Sequence, residues 1–466
     1  MKSLTRDMTT GNAVKHILLF SLPALIGNIF QQVYNLADSI IVGKIVGADA
    51  LAAVGASGSI TFFFFALCNG IGSGGGIVAS QYYGAHDEKN VRNCIVNTGL
   101  IMLLVPLIFG TLGFISAPYL LRLLGTPELI LADATMYIRY MCIGLLFVSL
   151  YNYVSSMLRA FGDSVSPLIF LIVSTIINIL LDLLFVYRFR MGIRGAAIAT
   201  LVAQLISVIG SAVYAVTMNS YFKLKKEDFA LSGEMIKKIL KLGIPMSLQF
   251  ALIAVSTMAL QRVVNAYGTA VVAAFTATSR IEQIVHQPYQ TLCASLATFC
   301  GQNYGANKKY RVLDGHKKGM IMMAMVSVVM FVLMQVAGEA LTSLFVSDPE
   351  VIRLGAMGLK ITSFFYITLG TIYVVRGTLT GVGDAFFALF NGIIEVLGRF
   401  IVPITLTGLL GMGVKGIWLS TGIVWAVSGI TAWMRYYSRL HDKKAAEKHK
   451  FLHKIAHIRH KKLVSH

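Results

Sequence analysis

Long apolar stretches follow one another along almost the whole chain, separated by short polar segments. A helix needs about 20 apolar residues to cross roughly 30 Å of hydrocarbon. Twelve stretches reach that length: residues 16–43, 51–80, 93–116, 134–158, 165–188, 195–218, 238–265, 271–300, 316–338, 355–380, 386–408 and 414–437. Helix is the expected form, because an isolated strand would leave its amides unpaired in lipid. The pattern predicts an all-α integral membrane protein with twelve transmembrane helices.

Short motifs return at a constant offset of 221 or 222 residues, which indicates a duplicated chain. The motif Gln81-Tyr82-Tyr83-Gly84-Ala85 returns as Gln302-Asn303-Tyr304-Gly305-Ala306. Other recurring pairs are Gly162-Asp163 with Gly383-Asp384, Gly195-Ala196 with Gly416-Ile417, Ala199-Thr200 with Ser420-Thr421, Pro23 with Pro245, and Pro127-Glu128 with Pro349-Glu350. Each copy then holds a six-helix bundle. An even number of spans inserts both copies the same way up, so the pseudo-two-fold axis runs along the membrane normal.

The duplication suggests how the chain is organised. We expect an N-terminal six-helix lobe at 1–218, a cytoplasmic linker at 219–241 that runs into the seventh helix, a C-terminal six-helix lobe at 242–440 and a basic cytoplasmic tail at 441–466. Transporters place their substrate in a cavity between two such repeats. The arrangement therefore favours a transport role over that of a passive scaffold.

The composition agrees with a membrane protein. Of the 466 residues, 56 % are hydrophobic and only 13 % charged, with a mean hydropathy of +0.72, whereas soluble domains carry about 25 % charged residues. This excludes a disordered chain, a collagen-like chain and a disulfide scaffold. We expect the five cysteines to be buried free thiols: Cys68, Cys94, Cys142, Cys293 and Cys300.

The formal charge of +19 is unevenly placed, and its placement predicts the orientation. Short loops rich in Lys and Arg stay on the cytoplasmic side. With both termini inside, the inner segments hold most of the basic residues and the outer ones hold only Lys44, Arg122, Arg188, Arg190, Arg194, Arg353 and Lys415. The cluster at 188–194 goes against the rule. We expect a multi-pass protein of the cell (inner) membrane, a monomer, whose basic tail lies near lipid headgroups and binds no nucleic acid.

The N-terminal copy carries ionisable and amide side chains inside its spans. Such groups are costly in a bilayer, about 2.5–3.5 kcal/mol for Asp at the centre, and they mark function by default. In the first span Asn28, Gln31, Asn35 and Asp38 share one helical face. In the fifth span Asn178 and Asp182 are four residues apart, and Thr200 opens the sixth. Two carboxylates with neutral oxygens suit a small hard cation or a proton. A structural use of Asp38, paired with a buried arginine, is the alternative.

The C-terminal copy lacks this set and carries a different one. At the repeat offsets Asp38, Asn178 and Asp182 correspond to Leu260, Arg399 and Pro403. Arg280, Glu282 and His286 fall inside the eighth span, and Arg280 with Glu282 form a possible second polar site. Glu395 and Arg399 are four residues apart in the eleventh span, and the spacing predicts that they pair on one helix. A lone histidine such as His286 is more often satisfied than functional.

Taken together, these features resemble the MATE (multidrug and toxic compound extrusion) family over nearly the whole chain. The resemblance rests on the two six-helix repeats, on Pro23 before Asp38 in the first span, and on the motif at 81–85 after the second. Asn178 with Asp182 in the fifth span and Arg280-Ile281-Glu282 in the eighth complete it. The combination is specific, although each motif alone is not.

Several expectations follow from the resemblance rather than from spacing. Members of the family are cation-coupled efflux antiporters that export organic cations or amphiphilic drugs by alternating access. In the branch that this chain resembles, the coupling ion, Na⁺ or H⁺, lies in the N-terminal lobe at positions that match Asp38, Asn178, Asp182 and Thr200. The substrate-lining positions match Gln31, Tyr34, Tyr137 and Asn152, and Pro23 is where the first helix bends. No other cofactor or metal is implied.

Two other function classes remain as alternatives. A lipid-linked oligosaccharide flippase of the same superfamily needs cationic groups for a pyrophosphate, which Arg262, Arg280 and Arg399 could supply. An intramembrane enzyme needs a nucleophile beside a base, and no motif of that kind occurs in the sequence. We therefore expect a transporter and no enzyme activity.

Overall fold

The computed structural model describes residues 4–441, except the side chains of 33–40, 43, 44, 48, 51, 254, 255, 257, 258 and 441. Thirteen long helices run back and forth between two ends of the molecule: α1 Ala13–Ile41, α2 Ala48–Gly84, α3 Glu88–Leu123, α4 Glu128–Ala160, α5 Val165–Asp182, α6 Gly192–Met218, α7 Gly233–Asn265, α8 Thr269–Gly305, α9 Lys309–Ser343, α10 Pro349–Ser363, α11 Tyr366–Gly381, α12 Ala385–Ile404 and α13 Gly413–Tyr436. Each predicted span falls on this succession, and the described part of the chain contains no strand.

The predicted tenth span, 355–380, is the one that differs from a single helix. It is divided between α10 and α11, which meet at an angle of 53°. Nine described helices are long and apolar enough to cross a membrane, and the bent pair makes a tenth. Of the other two predicted spans, α8 is more polar because it carries Arg280 and Glu282, and α7 contains positions outside the described residues, at 254, 255, 257 and 258.

Capping residues mark several helix starts at one end of the molecule. This end holds the N-terminal segment and the repeated motifs at 81–85 and 302–306, and it is called here the motif end. The Asp87 side chain accepts a hydrogen bond from the Asn90 amide at the start of α3, and Ser232 accepts one from Met235 at the start of α7. Asp163 accepts backbone hydrogen bonds before α5. Side-chain oxygens at these positions satisfy helix amides that have no partner within the helix. The linker between the copies forms two short 3₁₀ turns, Ser220–Phe222 and Lys226–Phe229.

The first helix of each copy packs on the other copy at the motif end. Ala13, Ile17 and Phe20 of α1 belong to the buried cluster formed by α8, α9 and α11. Ile239 and Leu242 of α7 belong to the cluster formed by α2, α3 and α4. This crossed packing follows the pseudo-two-fold axis, and it ties the copies together at one end of the molecule.

Glycines allow α2 and α7 to approach each other closely across the copy boundary. A Cβ atom added to Gly70 would collide with the Ser247 backbone, and one added to Gly74 would lie 2.5 Å from the Gly243 nitrogen. The glycine-rich stretch of the second span is therefore a helix-packing surface, as such small-residue spacings are in membrane proteins. The five cysteines are free, and all but the half-buried Cys293 are buried.

Candidate functional site

The predicted polar residues of the fifth and sixth spans meet in the N-terminal copy. Asp182, the last residue of α5, is fully buried at 0 % exposure, and Asn178 is 2 % exposed. With the Asn178 amide in the orientation that satisfies both ends, its nitrogen donates to Asp182 Oδ2 at 2.9 Å and its oxygen accepts from the Thr200 backbone nitrogen at 3.1 Å. The amide also lies 3.4 Å from the Thr200 hydroxyl. A carboxylate, an amide and a hydroxyl thus converge between α5 and α6.

The backbone beside this group departs from regular helix. A π-helical turn, Leu183–Arg188, begins directly after Asp182, and another, Val42–Val46, follows the end of α1. The two turns are in contact. Short π-helical turns frequently occur at functional sites, and here they bring the ends of the first and fifth spans together.

Helix α1 carries the predicted residues of the first span. It packs along α5, and a Cβ at Gly27 would lie 3.3 Å from Leu168. Asp38 and Tyr34 lie on α1, but their side chains are outside the described residues. Pro23 lies inside α1, and the helix continues through it.

The other predicted substrate-lining residues are neither sealed into the core nor turned fully outward. Gln31 on α1 is half-buried, as are Tyr137 and Asn152 on α4. Tyr137 packs beside the buried cluster of α2, α4 and α6. Polar side chains inside membrane spans are costly and mark functional sites by default, and half-burial leaves these three in part accessible.

The C-terminal copy corrects one prediction from the sequence. Glu395 does not pair with Arg399. It pairs with Arg376 of α11 at 3.1 Å, and the same guanidinium donates to Asn391 at 2.9 Å. The i,i+4 spacing was compatible with a pair on α12, but α11 presents a closer guanidinium, one that also satisfies Asn391.

Arg280 and Glu282 separate in the structure. Arg280 is exposed, whereas Glu282 Oε1 is buried and finds no hydrogen-bond partner among the described residues. His286 Nε2 and Arg399 Nε, likewise, are buried without a partner in the described part of the chain. Glu282 and His286 of α8 and Arg399 of α12 thus form a group of side chains with buried, unpartnered polar atoms among the described residues of this copy.

The sequence predicts two of the three residues of this group. Glu282 and His286 are four residues apart on α8, which places them on one face. Arg399 lies on a helix more than a hundred residues later, so spacing alone does not add it to this group. Trp425 and Tyr373 enclose His286, with ring centroids 5.7 and 6.3 Å away.

The motif end of the boundary between the copies is closed. A Cβ on Gly84 would collide with the Gln302 carbonyl, and one on Gly305 would collide with the Gln81 carbonyl. The two copies of the repeated motif thus touch each other backbone to backbone. Only glycine permits this approach.

The N-terminal segment completes the closure. The Met8 amide donates to Gln302 Oε1 at 2.9 Å, and Met8 is fully buried. Arg311 donates to the Met8, Thr10 and Gly11 carbonyls at 3.0–3.1 Å. The Arg6 amide donates to the Phe161 carbonyl of the N-terminal copy at 2.8 Å. Residues 6–11 therefore bridge both copies at this end.

Comparison with known proteins agrees with the duplicated architecture. The model of the MatE family matches residues 23–184 and again residues 245–405. A probable multidrug resistance protein of Bacillus subtilis (strain 168), YpnP, is 33 % identical over 436 residues, which cover 92 % of this chain and 96 % of that protein. The names of such relatives favour drug export over the flippase alternative.

Solved structures share the fold over nearly the full length. A crystal structure of MATE in the straight conformation superposes with a TM-score of 0.90 at 23 % identity, covering 96 % of this chain and all of that one. The outward-facing conformation of a multidrug resistance MATE family transporter of the MOP superfamily gives 0.88 at 23 % identity, with the same coverage. The two matched repeats and the full-length relative show that this chain belongs to the MatE family of multi-pass membrane transporters.

Proposed function

We propose that this protein is a cation-coupled antiporter that exports organic cations or amphiphilic drugs by alternating access. The observation that carries the proposal is the buried carboxylate of Asp182, held by the Asn178 amide beside the Thr200 hydroxyl. Burial of a charge is costly unless an opposite charge or a proton compensates it. Carboxylate, amide and hydroxyl oxygens are ligands that a small hard cation prefers.

We assign the coupling ion, Na⁺ or H⁺, to Asp38, Asn178, Asp182 and Thr200. Asp38 joins this set because α1 packs along α5 and both helices end at neighbouring π-helical turns. The transported drug is assigned to a site beside this group, with Gln31, Tyr34, Tyr137 and Asn152 as its lining residues.

The cycle follows from where the structure is closed. With the termini in the cytoplasm, the closed motif end faces inward and the ion enters from the opposite side. Neutralisation of the acidic group changes the preferred bend of α1 near Pro23, where one helix hydrogen bond is missing, and the drug leaves. The contact at Gly84 and Gly305 and the bridge formed by residues 6–11 then break as the two copies rotate relative to each other. The ion drives this change only if it binds one state more tightly than the other.

The proposal is tested in proteoliposomes loaded with ethidium, with sodium and pH gradients imposed separately. We expect one of the two gradients to drive ethidium transport by the unaltered protein. Asp182→Asn, which keeps the shape and removes the charge, should abolish the response to the gradient while the protein remains monodisperse. Asp133→Asn, on an exposed position of α4, is the matched control. Gradient-driven transport that survives in Asp182→Asn would refute the coupling role.

We also propose that the second copy holds a polar site of its own, at Glu282, His286 and Arg399 rather than at Arg280. The three unpartnered polar atoms named above support it, because buried polar atoms are nearly always paired with protein or water. In the same assay Glu282→Gln should alter the rate of ethidium transport but keep its dependence on the driving gradient. Equal rates in Glu282→Gln and the unaltered protein would argue against this second site.

A further inference from the structure

A basic groove opens on the side of the N-terminal copy at the end opposite the motif. It has a volume of about 760 Å³ and lies between α3 and α4, beside the start of α6. Arg122, Arg139 and Arg194 line it together with a single acid, Glu128, which gives the groove a net charge of +2. Its remaining wall includes the apolar side chains of Phe114 and Ile143.

Two of the three arginines have no acidic partner. Arg122 forms an exposed pair with Glu128 at 3.7 Å. The Arg139 Nε atom donates to the Phe114 carbonyl at 3.4 Å, and its guanidinium stacks 5.1 Å from the Phe114 ring centre. Arg194 Nε lies 2.9 Å from the Met136 sulfur, a weak acceptor. Within the described residues neither Arg139 nor Arg194 forms an ion pair.

The groove lies at the level of lipid headgroups. The apolar stretches 93–116 and 134–158 place the hydrocarbon edge near residues 116 and 134. Arg122 and Arg194 lie beyond that edge. The backbone of Arg139 lies five residues inside the hydrocarbon edge, about 7.5 Å along the helix. Its side chain is long enough to return the guanidinium charge to that edge. Exposed apolar side chains such as Ile115 and Leu129 border the groove, as expected for a surface in contact with lipid.

We propose that this groove binds the headgroup of an anionic phospholipid. Planar guanidinium groups bind phosphate oxygens in pairs, and the apolar wall takes the first part of an acyl chain. The proposal also accounts for arginines at the end where the orientation rule predicts few, since Arg194 belongs to the exceptional cluster at 188–194.

The second copy provides an internal comparison. A groove of about 510 Å³ lies at the equivalent place, lined by Glu339, Arg353 and Lys360. At the repeat offset, however, Arg122 and Arg139 correspond to Leu344 and Ile361. The fold thus repeats the groove, but the first copy lines it with three arginines and the second with one.

Lipid binding to the purified full-length protein tests the proposal. Native mass spectrometry compares retention of phosphatidylglycerol with that of phosphatidylcholine carrying the same acyl chains. We expect the unaltered protein to prefer phosphatidylglycerol, and Arg139→Gln with Arg194→Gln to reduce this preference by about tenfold for each arginine removed. The control pair Arg353→Gln with Lys360→Gln should keep it. Arg139→Lys with Arg194→Lys should keep part of it, because the charge remains.

Two further experiments use the unaltered protein only. They distinguish a membrane lipid from a soluble phosphate compound as the bound molecule. Glycerol 3-phosphate that competes as well as the lipid would overturn the assignment to a membrane lipid. A photoreactive phosphatidylglycerol should crosslink the unaltered protein within residues 114–143. Crosslinks confined to other segments, or an equal loss of preference in the control pair, would overturn the proposal as well.

Discussion

Gln81 and Gln302 make equivalent hydrogen bonds across the boundary between the two copies. Gln81 Nε2 donates to the Gly381 carbonyl and Gln302 Nε2 donates to the Ala160 carbonyl, both at 2.8 Å. Donors and acceptors are each related by the offset of 221 residues. The repeated motif therefore forms a symmetric contact that closes one end of the molecule.

Enlarging a motif glycine should prevent this closure. We expect Gly84→Val to hold the copies apart at the motif end, because its Cβ would overlap the Gln302 carbonyl. The state closed at that end should be depopulated and transport should fall. Spin labels on the two copies at the motif end, measured by electron–electron double resonance, would report a longer distance.

Gly55→Val is the matched control for that experiment. Gly55 lies on the same helix, α2, and a Cβ there would meet no atom of the described residues within 4 Å. Distances that stay the same in Gly84→Val as in Gly55→Val would show that the glycine contact does not govern closure.

Removal of the Arg311 guanidinium should release the N-terminal segment. Arg311 makes three hydrogen bonds to carbonyls of residues 8–11, and bonds of this charged type contribute about 1.5–3 kcal/mol each. We expect faster amide exchange over residues 6–11 in Arg311→Gln, measured by hydrogen–deuterium exchange mass spectrometry. Lys317→Gln, an exposed change on the same helix, should leave the exchange unchanged; protection retained in Arg311→Gln would contradict the prediction.

Sodium should stabilise the folded protein if it occupies the site at Asp182. A ligand that binds only the folded state adds about 2.7 kcal/mol at a concentration one hundred times its Kd. We expect a higher Tm in NaCl than in choline chloride at equal ionic strength, with a smaller rise in Thr200→Val, which loses one ligand oxygen. Asp133→Asn should respond as the unaltered protein does. An identical Tm in both salts would exclude sodium and leave the proton as the coupling ion.

The ion pair of Arg376 with Glu395 should be important for stability. The two side chains are 11 % and 14 % exposed, and removal of one partner of a buried pair costs about 3–5 kcal/mol. We expect Glu395→Gln to lower the free energy of unfolding by an amount of that order. The loss is smaller to the extent that the new glutamine amide still accepts a hydrogen bond from Arg376. Unfolding in a titration with sodium dodecyl sulfate measures it.

An exposed pair serves as the comparison. Lys318 and Asp314 are 2.6 Å apart on α9 but far more exposed, and exposed pairs contribute about 0–1 kcal/mol. Asp314→Asn should therefore change the free energy of unfolding little. Equal effects of Glu395→Gln and Asp314→Asn would contradict the importance given to the pair between α11 and α12.

The sequence by itself determined the helices and the duplication. In lipid, long apolar stretches form helices because every backbone amide must find a hydrogen-bond partner within the chain. The repeat offset follows from motifs such as Gln81–Ala85 and Gln302–Ala306. It also identified Asn178, Asp182 and Thr200, because polar residues inside apolar spans are conspicuous. These features depend on residues that are close in the chain or equivalent by repetition.

Only the tertiary structure decided which side chains meet across helices. It paired Glu395 with Arg376 instead of Arg399 and turned Arg280 outward. It brought the two motifs together and bridged them with residues 6–11. Helical spacing fixes the face on which a residue lies, but the neighbour of that face depends on the packing of helices that are distant in the chain.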